Sequence, residues 1–186
     1  MKIIFNLSLL MLGFVSFGYS QVKLVITPEY PQPGSLVHIV YNPKAPGASI
    51  SDTVSHIDLV FTYSNFYELP NKIPLTKKDG IWETSFKIPT YGVYATYTLV
   101  SGKQTDKLSD KRHFPIPIYN GTKRVERGYL YESYSLPTQE GKSKDLAANK
   151  AALLKKELEN YPMEYQARLN MLLYEISLAK KKDIPA

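Results

Sequence analysis

The sequence predicts a mainly β protein with a C-terminal α region: an immunoglobulin-like antiparallel β-sandwich followed by a two-helix antiparallel hairpin. Three observations carry that expectation. Between Val22 and Tyr119 apolar residues recur with period two in about seven short runs, as half-buried strands require. Proline and turn residues punctuate those runs, with 13 Pro against 10 Gly in the chain. From Ser143 onward the period changes to that of an amphipathic helix.

The strands follow in order. Lys23 to Ile26 precedes the turn Pro31-Gln32-Pro33-Gly34, and Leu36 to Tyr41 is stopped by Asn42-Pro43. Ile57 to Tyr63 alternates as a half-buried strand, and Ile73 to Leu75 is a short one. Lys78-Asp79-Gly80 marks a hairpin, because Asp-Gly supplies the positive φ that a tight turn needs. Trp82, Thr84, Phe86 and Ile88 then share one face of the next strand. Val93 to Val100 is rich in β-branched and aromatic residues. Phe114 to Tyr119 carries alternating prolines, which confines it to a sheet edge. Antibody hallmarks are missing: there is no Cys pair, and the only Trp falls on the fifth strand.

Residues 120–142 read as a polar, tyrosine-spotted linker, and 143–186 as the helical hairpin. Ser143 suits an N-cap. Ala147, Ala151, Leu154, Leu158 and Tyr161 form one helical stripe, and Tyr165, Leu169, Leu172, Ile176 and Ala179 a second. Pro162 fits the first turn of the second helix. Lys180-Lys181-Lys182 meets the negative end of its dipole. The expected seam uses Leu154, Leu158, Leu169, Leu172 and Ile176. Leu153 and Leu173 widen the two stripes and are the candidate partner-binding residues.

The first twenty residues have the form of a secretory signal. Lys2 precedes a mostly apolar stretch from Ile3 to Val15, and Gly18-Tyr19-Ser20 offers a small-x-small exit, placing cleavage before Gln21. That apolar core is too short for a membrane span, and nothing later is longer. The mature chain, with its β domain at 21–119, is therefore expected to be exported, periplasmic or secreted, with no transmembrane segment.

Composition narrows the chemistry. With no cysteine, thiol catalysis, disulfides and Cys-based zinc sites are excluded. His38, His56 and His113 lie on different segments and no serine sits in a nucleophile motif, so no catalytic residue, metal or cofactor is expected. The +6 net charge is spread along the chain, which does not point to nucleic acid. An alternative reading places Trp82, Tyr63, Tyr91 and Tyr94 on an exposed platform that stacks on sugars. Asp52-Thr53-Val54 also fits a short acidic-Thr-aliphatic context for O-glycosylation.

Taken in sequence, Pro31-x-Pro-Gly34, Tyr41-Asn42-Pro43, Pro74-Leu75-x-Lys77-Lys78-Asp79-Gly80-x-Trp82, Tyr119-Asn120-Gly121 and Lys156-Glu157-Leu158-Glu159-Asn160-Tyr161-Pro162 resemble the N-terminal half of exported TlpA-type thioredoxin-like proteins of Gram-negative envelopes. The resemblance implies an immunoglobulin-like domain and a helical segment that precede a thioredoxin domain. The activity of that family resides in a C-x-x-C pair, and no Cys is present here. The function expected is thus an exported, non-catalytic interaction or scaffold module, its helices docking to a protein partner or a thioredoxin-like domain. The alternative is a carbohydrate-binding sandwich.

Overall fold

Alternating side chains on the central strands put one face of each of two antiparallel sheets onto a shared core. The computed structural model describes residues 22–108 and 110–182. The signal segment at 1–20 and its cleavage site lie outside the described residues. The strands are β1 (Leu24–Thr27), β2 (Leu36–Tyr41), β3 (Asp58–Ser64), β4 (Lys72–Pro74), β5 (Thr76–Lys78), β6 (Ile81–Lys87), β7 (Tyr94–Ser101), β8 (Gln104–Asp106), β9 (Phe114–Pro117), β10 (Tyr119–Asn120) and β11 (Lys123–Arg124). Three helices follow: α1 (Gly128–Glu140), α2 (Leu146–Asn160) and α3 (Tyr165–Lys182).

The first sheet runs β1-β2-β6-β5, and the second runs β4-β3-β7 with β8 and β9 sharing the far side of β7. Ile39 and Tyr41 on β2 and Trp82 and Phe86 on β6 meet Leu59, Tyr97 and Phe114 of the other sheet in one apolar cluster. Burying these large side chains is the main term that holds the sheets together, at roughly 1.5–3 kcal/mol for each aliphatic or Phe side chain. The β5–β6 turn falls at the expected Asp79-Gly80, both with positive φ, and Lys78 pairs with Ile81. As the prolines require, β9 pairs only with β7 and lies at an edge.

One buried carboxylate ties the ends of this unit. Asp106 on β8 is fully buried and accepts hydrogen bonds from Tyr41 Oη at 2.6 Å, the Ser49 amide at 2.8 Å and Lys23 Nζ at 2.8 Å. Burial first, and the Asp106 carboxylate second, push the Tyr41 phenol far above its usual range.

The helical region departs from the expectation. In place of a linker, residues 120–142 hold the β10–β11 hairpin and the 13-residue helix α1. In place of a two-helix hairpin there are three successive helices, α1 packing on α2 and α2 on α3. Their shared core takes one buried residue from each: Leu130, Leu154 and Ala167.

The N-terminus of α1 has no cap in its own sequence. Arg127, at the cap position, is left-handed (φ 68) and makes no side-chain cap. The missing acceptor comes from Glu157 on α2, which is fully buried. Its Oε1 accepts the Arg127 amide at 2.7 Å, and its Oε2 accepts those of Tyr129 at 2.9 Å and Leu130 at 3.3 Å. These are orphan donors of a helix start, and a carboxylate also suits the positive end of the dipole. Glu164 does the same for α3: its Oε2 accepts the Ala167 amide at 2.6 Å, and its Oε1 takes Arg127 Nε at 3.0 Å. Pro162 accordingly sits in the α2–α3 turn, ahead of the first helical turn. Ser143 stands just upstream of α2, its Oγ accepting the Asp145 amide at 3.2 Å.

The other side of α1 lies on the face of the second sheet turned away from the shared core. Ser135 is fully buried there, within hydrogen-bonding reach of Tyr94, and small enough for close approach. Gln139 Oε1 accepts the His113 amide at 3.0 Å, while His113 Nδ1 meets Thr62 Oγ1 at 2.7 Å. Burial, and then the positive charge of Lys107, hold the His113 imidazole below its usual range, so this seat favours the neutral ring.

Arg124 completes the join. Its Nη1 meets Glu132 Oε2 at 2.9 Å, its Nη2 donates to the Gly128 carbonyl at 2.8 Å, and its guanidinium lies over the rings of Tyr94 and Tyr129. A Cβ on Gly128 would stand 3.1 Å from Arg124 Nε, so a glycine here lets the guanidinium approach the helix start. Tyr161 Oη, from the α2–α3 turn, donates to the Arg124 carbonyl at 2.6 Å.

The expected outcome of Glu157→Ala is a loss of ~2–4 kcal/mol of stability in urea denaturation, because one buried amide, Leu130, and two part-buried ones, Arg127 and Tyr129, lose their acceptor. The helical circular dichroism signal should fall with it. A loss below ~1 kcal/mol would show that α1 does not rely on this carboxylate.

Candidate interaction surface

Two stripes run along α3, and their placement decides which surface the protein presents. The first, Ala167, Asn170, Met171 and Tyr174, has the i, i+3, i+4, i+7 spacing of one helix face. Ala167 is fully buried, Met171 packs against the helical core, and Asn170 Nδ2 donates to Tyr134 Oη on α1 at 3.0 Å. This face is turned inward.

The second is the more apolar stripe of Tyr165, Leu169, Leu172, Ile176 and Ala179. It was the expected seam with α2, but it faces mostly outward. Tyr165 is 72% exposed, Leu172 53% and Ile176 42%. Leu154 is buried and Leu158 partly so, as expected for α2, yet their partners on α3 are Ala167 and Met171. The reason is the capping geometry. Glu164 is held by Arg127 and caps Ala167, so α3 begins with Ala167 against Leu130 and Leu154.

Of the candidate partner-binding residues, Leu173 is 56% exposed and borders a cleft of about 290 Å³ with Tyr134, Lys150 and Leu154. Leu153, on α2, is half-buried. The structure thus places the outward stripe and Leu173 on one exposed side of α3.

The proposed sugar-stacking residues do not assemble on the surface. Trp82 is 2% exposed, with the Lys77 ammonium 5.3 Å from its ring centre, and belongs to the shared core. Tyr94 is buried under α1 beside Arg124, and Tyr63 is half-buried next to it. Burial drives the Tyr94 and Tyr63 phenols far above their usual range. Only Tyr91 is exposed, stacked on Tyr67 with centroids 6.3 Å apart. Trp82 and Tyr94 are core residues because each lies on a strand face that another layer covers. Thr53 is exposed in the loop before β3, where its hydroxyl meets Ser51 Oγ at 2.8 Å.

Sequence spacing did not bring out one polar constellation. On the outward face of the first sheet, His38 Nδ1 lies 2.9 Å from Ser85 Oγ, and Glu83 lies 3.6 Å from Nε2. The pairing of His38 with Ser85 across β2 and β6 produces it, so only the strand register could have revealed it. It borders a shallow depression of about 350 Å³ with Val25, Val40 and Ile81. The 3.6 Å separation is too long for a hydrogen bond that would orient the imidazole. Among the described residues, no group of three or more His, Asp or Glu is placed to hold a metal ion. No helix among them is long and apolar enough to cross a membrane.

Comparison with protein-family models, curated proteins and solved structures returns no match for this chain. The surface must therefore be read from its own chemistry.

Opposite responses are expected at the two faces of the helical region. Leu154→Ala should cost ~2–5 kcal/mol, as a buried truncation does. Leu172→Ser should change stability by no more than ~0.5 kcal/mol, as an exposed site does. Thermal or urea denaturation of both variants checks this, and equal losses would place Leu172 inside the core.

Proposed function

We propose that this chain is an exported, non-catalytic interaction module: an immunoglobulin-like β-sandwich acts as scaffold, and the helical region docks a protein through the outer side of α3. The observation that carries the reading is the outward apolar stripe of α3, held in place by a buried capping network. An ordered helix that turns its more apolar side to water is a binding surface by the usual economy of exposed patches. The sandwich reading is supported by the strand order, β1-β2-β6-β5 against β4-β3-β7-β8, which has the arrangement of an immunoglobulin-type double sheet. Export rests on the signal-like first twenty residues. The resemblance to the N-terminal half of TlpA-type proteins makes a thioredoxin-like domain one protein that this surface would fit.

The test is photo-cross-linking in cells that export the chain. A photoreactive residue at Leu172 should capture a protein, and the same residue at Tyr67, which is 79% exposed on the β unit, should not. Failure of Leu172 to capture any protein, itself included, would overturn the reading.

A further inference from the structure

We propose that the outward face of α3 is occupied by the α3 of a second copy, packed antiparallel. The inference rests on the interaction-module reading above and names its partner. Tyr165, Leu169, Leu172, Ile176 and Ala179 alternate at spacings of four and three, which is the seam of a two-helix coiled coil. Such a seam is self-complementary when the two helices are related by a two-fold axis.

The charges beside the seam choose the orientation. Arg168 and Glu175 are seven residues apart and so stand on the same flank. Both are exposed, and neither makes an ion pair among the described residues. In an antiparallel pair like flanks face each other in opposite directions. Arg168 of one copy then meets Glu175 of the other, twice by symmetry. On the opposite flank the exposed Leu173 lies beside the seam and extends its apolar surface. A parallel pair would set Arg168 against Leu173 and crowd the Lys180-Lys181-Lys182 ends of both copies together. The inward face of α3 stays on α2, so a second α3 can lie along the outer side without disturbing the helical core.

The seam is one helix wide and falls short of the ~800 Å² per partner of a standard stable interface. Self-association in the micromolar range is the expected strength.

Sedimentation velocity of the mature chain from low micromolar to millimolar concentration tests this. The wild type should show a monomer–dimer equilibrium. Arg168→Glu and Glu175→Arg should each weaken it about tenfold or more, because each creates like-charge contacts at both symmetry-related positions. An equimolar mixture of the two variants should associate again, and so should the double swap R168E/E175R. Circular dichroism of each variant confirms that the fold is kept. A wild type that stays monomeric, dimers insensitive to both single swaps, or a mixture that does not recover would each overturn the proposal. The module reading has its own readout: cross-linking from Leu172 to a different protein, or to further chain in a longer protein, would keep it while rejecting the second copy.

Discussion

The carboxylate of Glu157 accepts three amides at the start of α1, and the placement of every later element depends on that contact. Capping fixes α1 against α2, and α1 in turn covers the outer face of the second sheet through Ser135 and Gln139. Arg127, whose amide is held by Glu157, reaches Glu164 with its side chain and sets where α3 starts. The contacts thus run from the sheet through Arg124, which lies over Tyr94 and binds Glu132 and the Gly128 carbonyl of α1. From the start of α1 they run through Glu157, Arg127 and Glu164 to α3. Of these charged residues Glu157 and Glu164 are buried. Breaking one buried member leaves the others uncompensated, which is why such networks are sensitive to single substitutions. The helices are therefore not an appendage hung on a flexible linker. They are fastened to the β unit by α1, and α3 is carried at the outer end.

Much of the β region was legible in the sequence because its signals are local. The period-two alternation of Leu36–Tyr41 and Trp82–Ile88, and the Asp79-Gly80 turn, each specify their own geometry. The short strand expected at Ile73–Leu75 is present as β4 on β3, and a further strand that the sequence did not announce, β5, follows it on β6, because the chain crosses between the sheets after Leu75. Helix α1 was not legible at all. It is rich in Tyr and Ser, contains Pro137, and owes its cap to a glutamate thirty residues downstream of Arg127. Local propensity carries no trace of such a partner.

The outward stripe on α3 was legible as a stripe but not as a surface. Periodicity identified Tyr165, Leu169, Leu172 and Ile176 correctly as one face, and then assigned that face to α2 because two amphipathic helices in succession ordinarily pair. The rotation of α3 is decided by Glu164 and Ala167, whose contacts are tertiary. A small residue at Ala167 lets α3 approach Leu130 and Leu154 closely, leaving the larger residues outside. Where local pattern and observed packing disagree in this way, the exception tends to mark function. The same logic removes Trp82 and Tyr94 from consideration as a sugar platform, since their burial is what the sheets and α1 require.

Amide hydrogen exchange of Tyr129 and Leu130 tests most directly whether the Glu157 cap fastens the helical region to the sheets. Both amides belong to a helix start, a place where exchange is ordinarily fast because helix ends fray. If the buried carboxylate holds them, they exchange only through opening of the whole structure, with protection close to that of Tyr97 in the centre of β7. Exchange at the rate of an unprotected chain, while Tyr97 stays protected, would contradict the account.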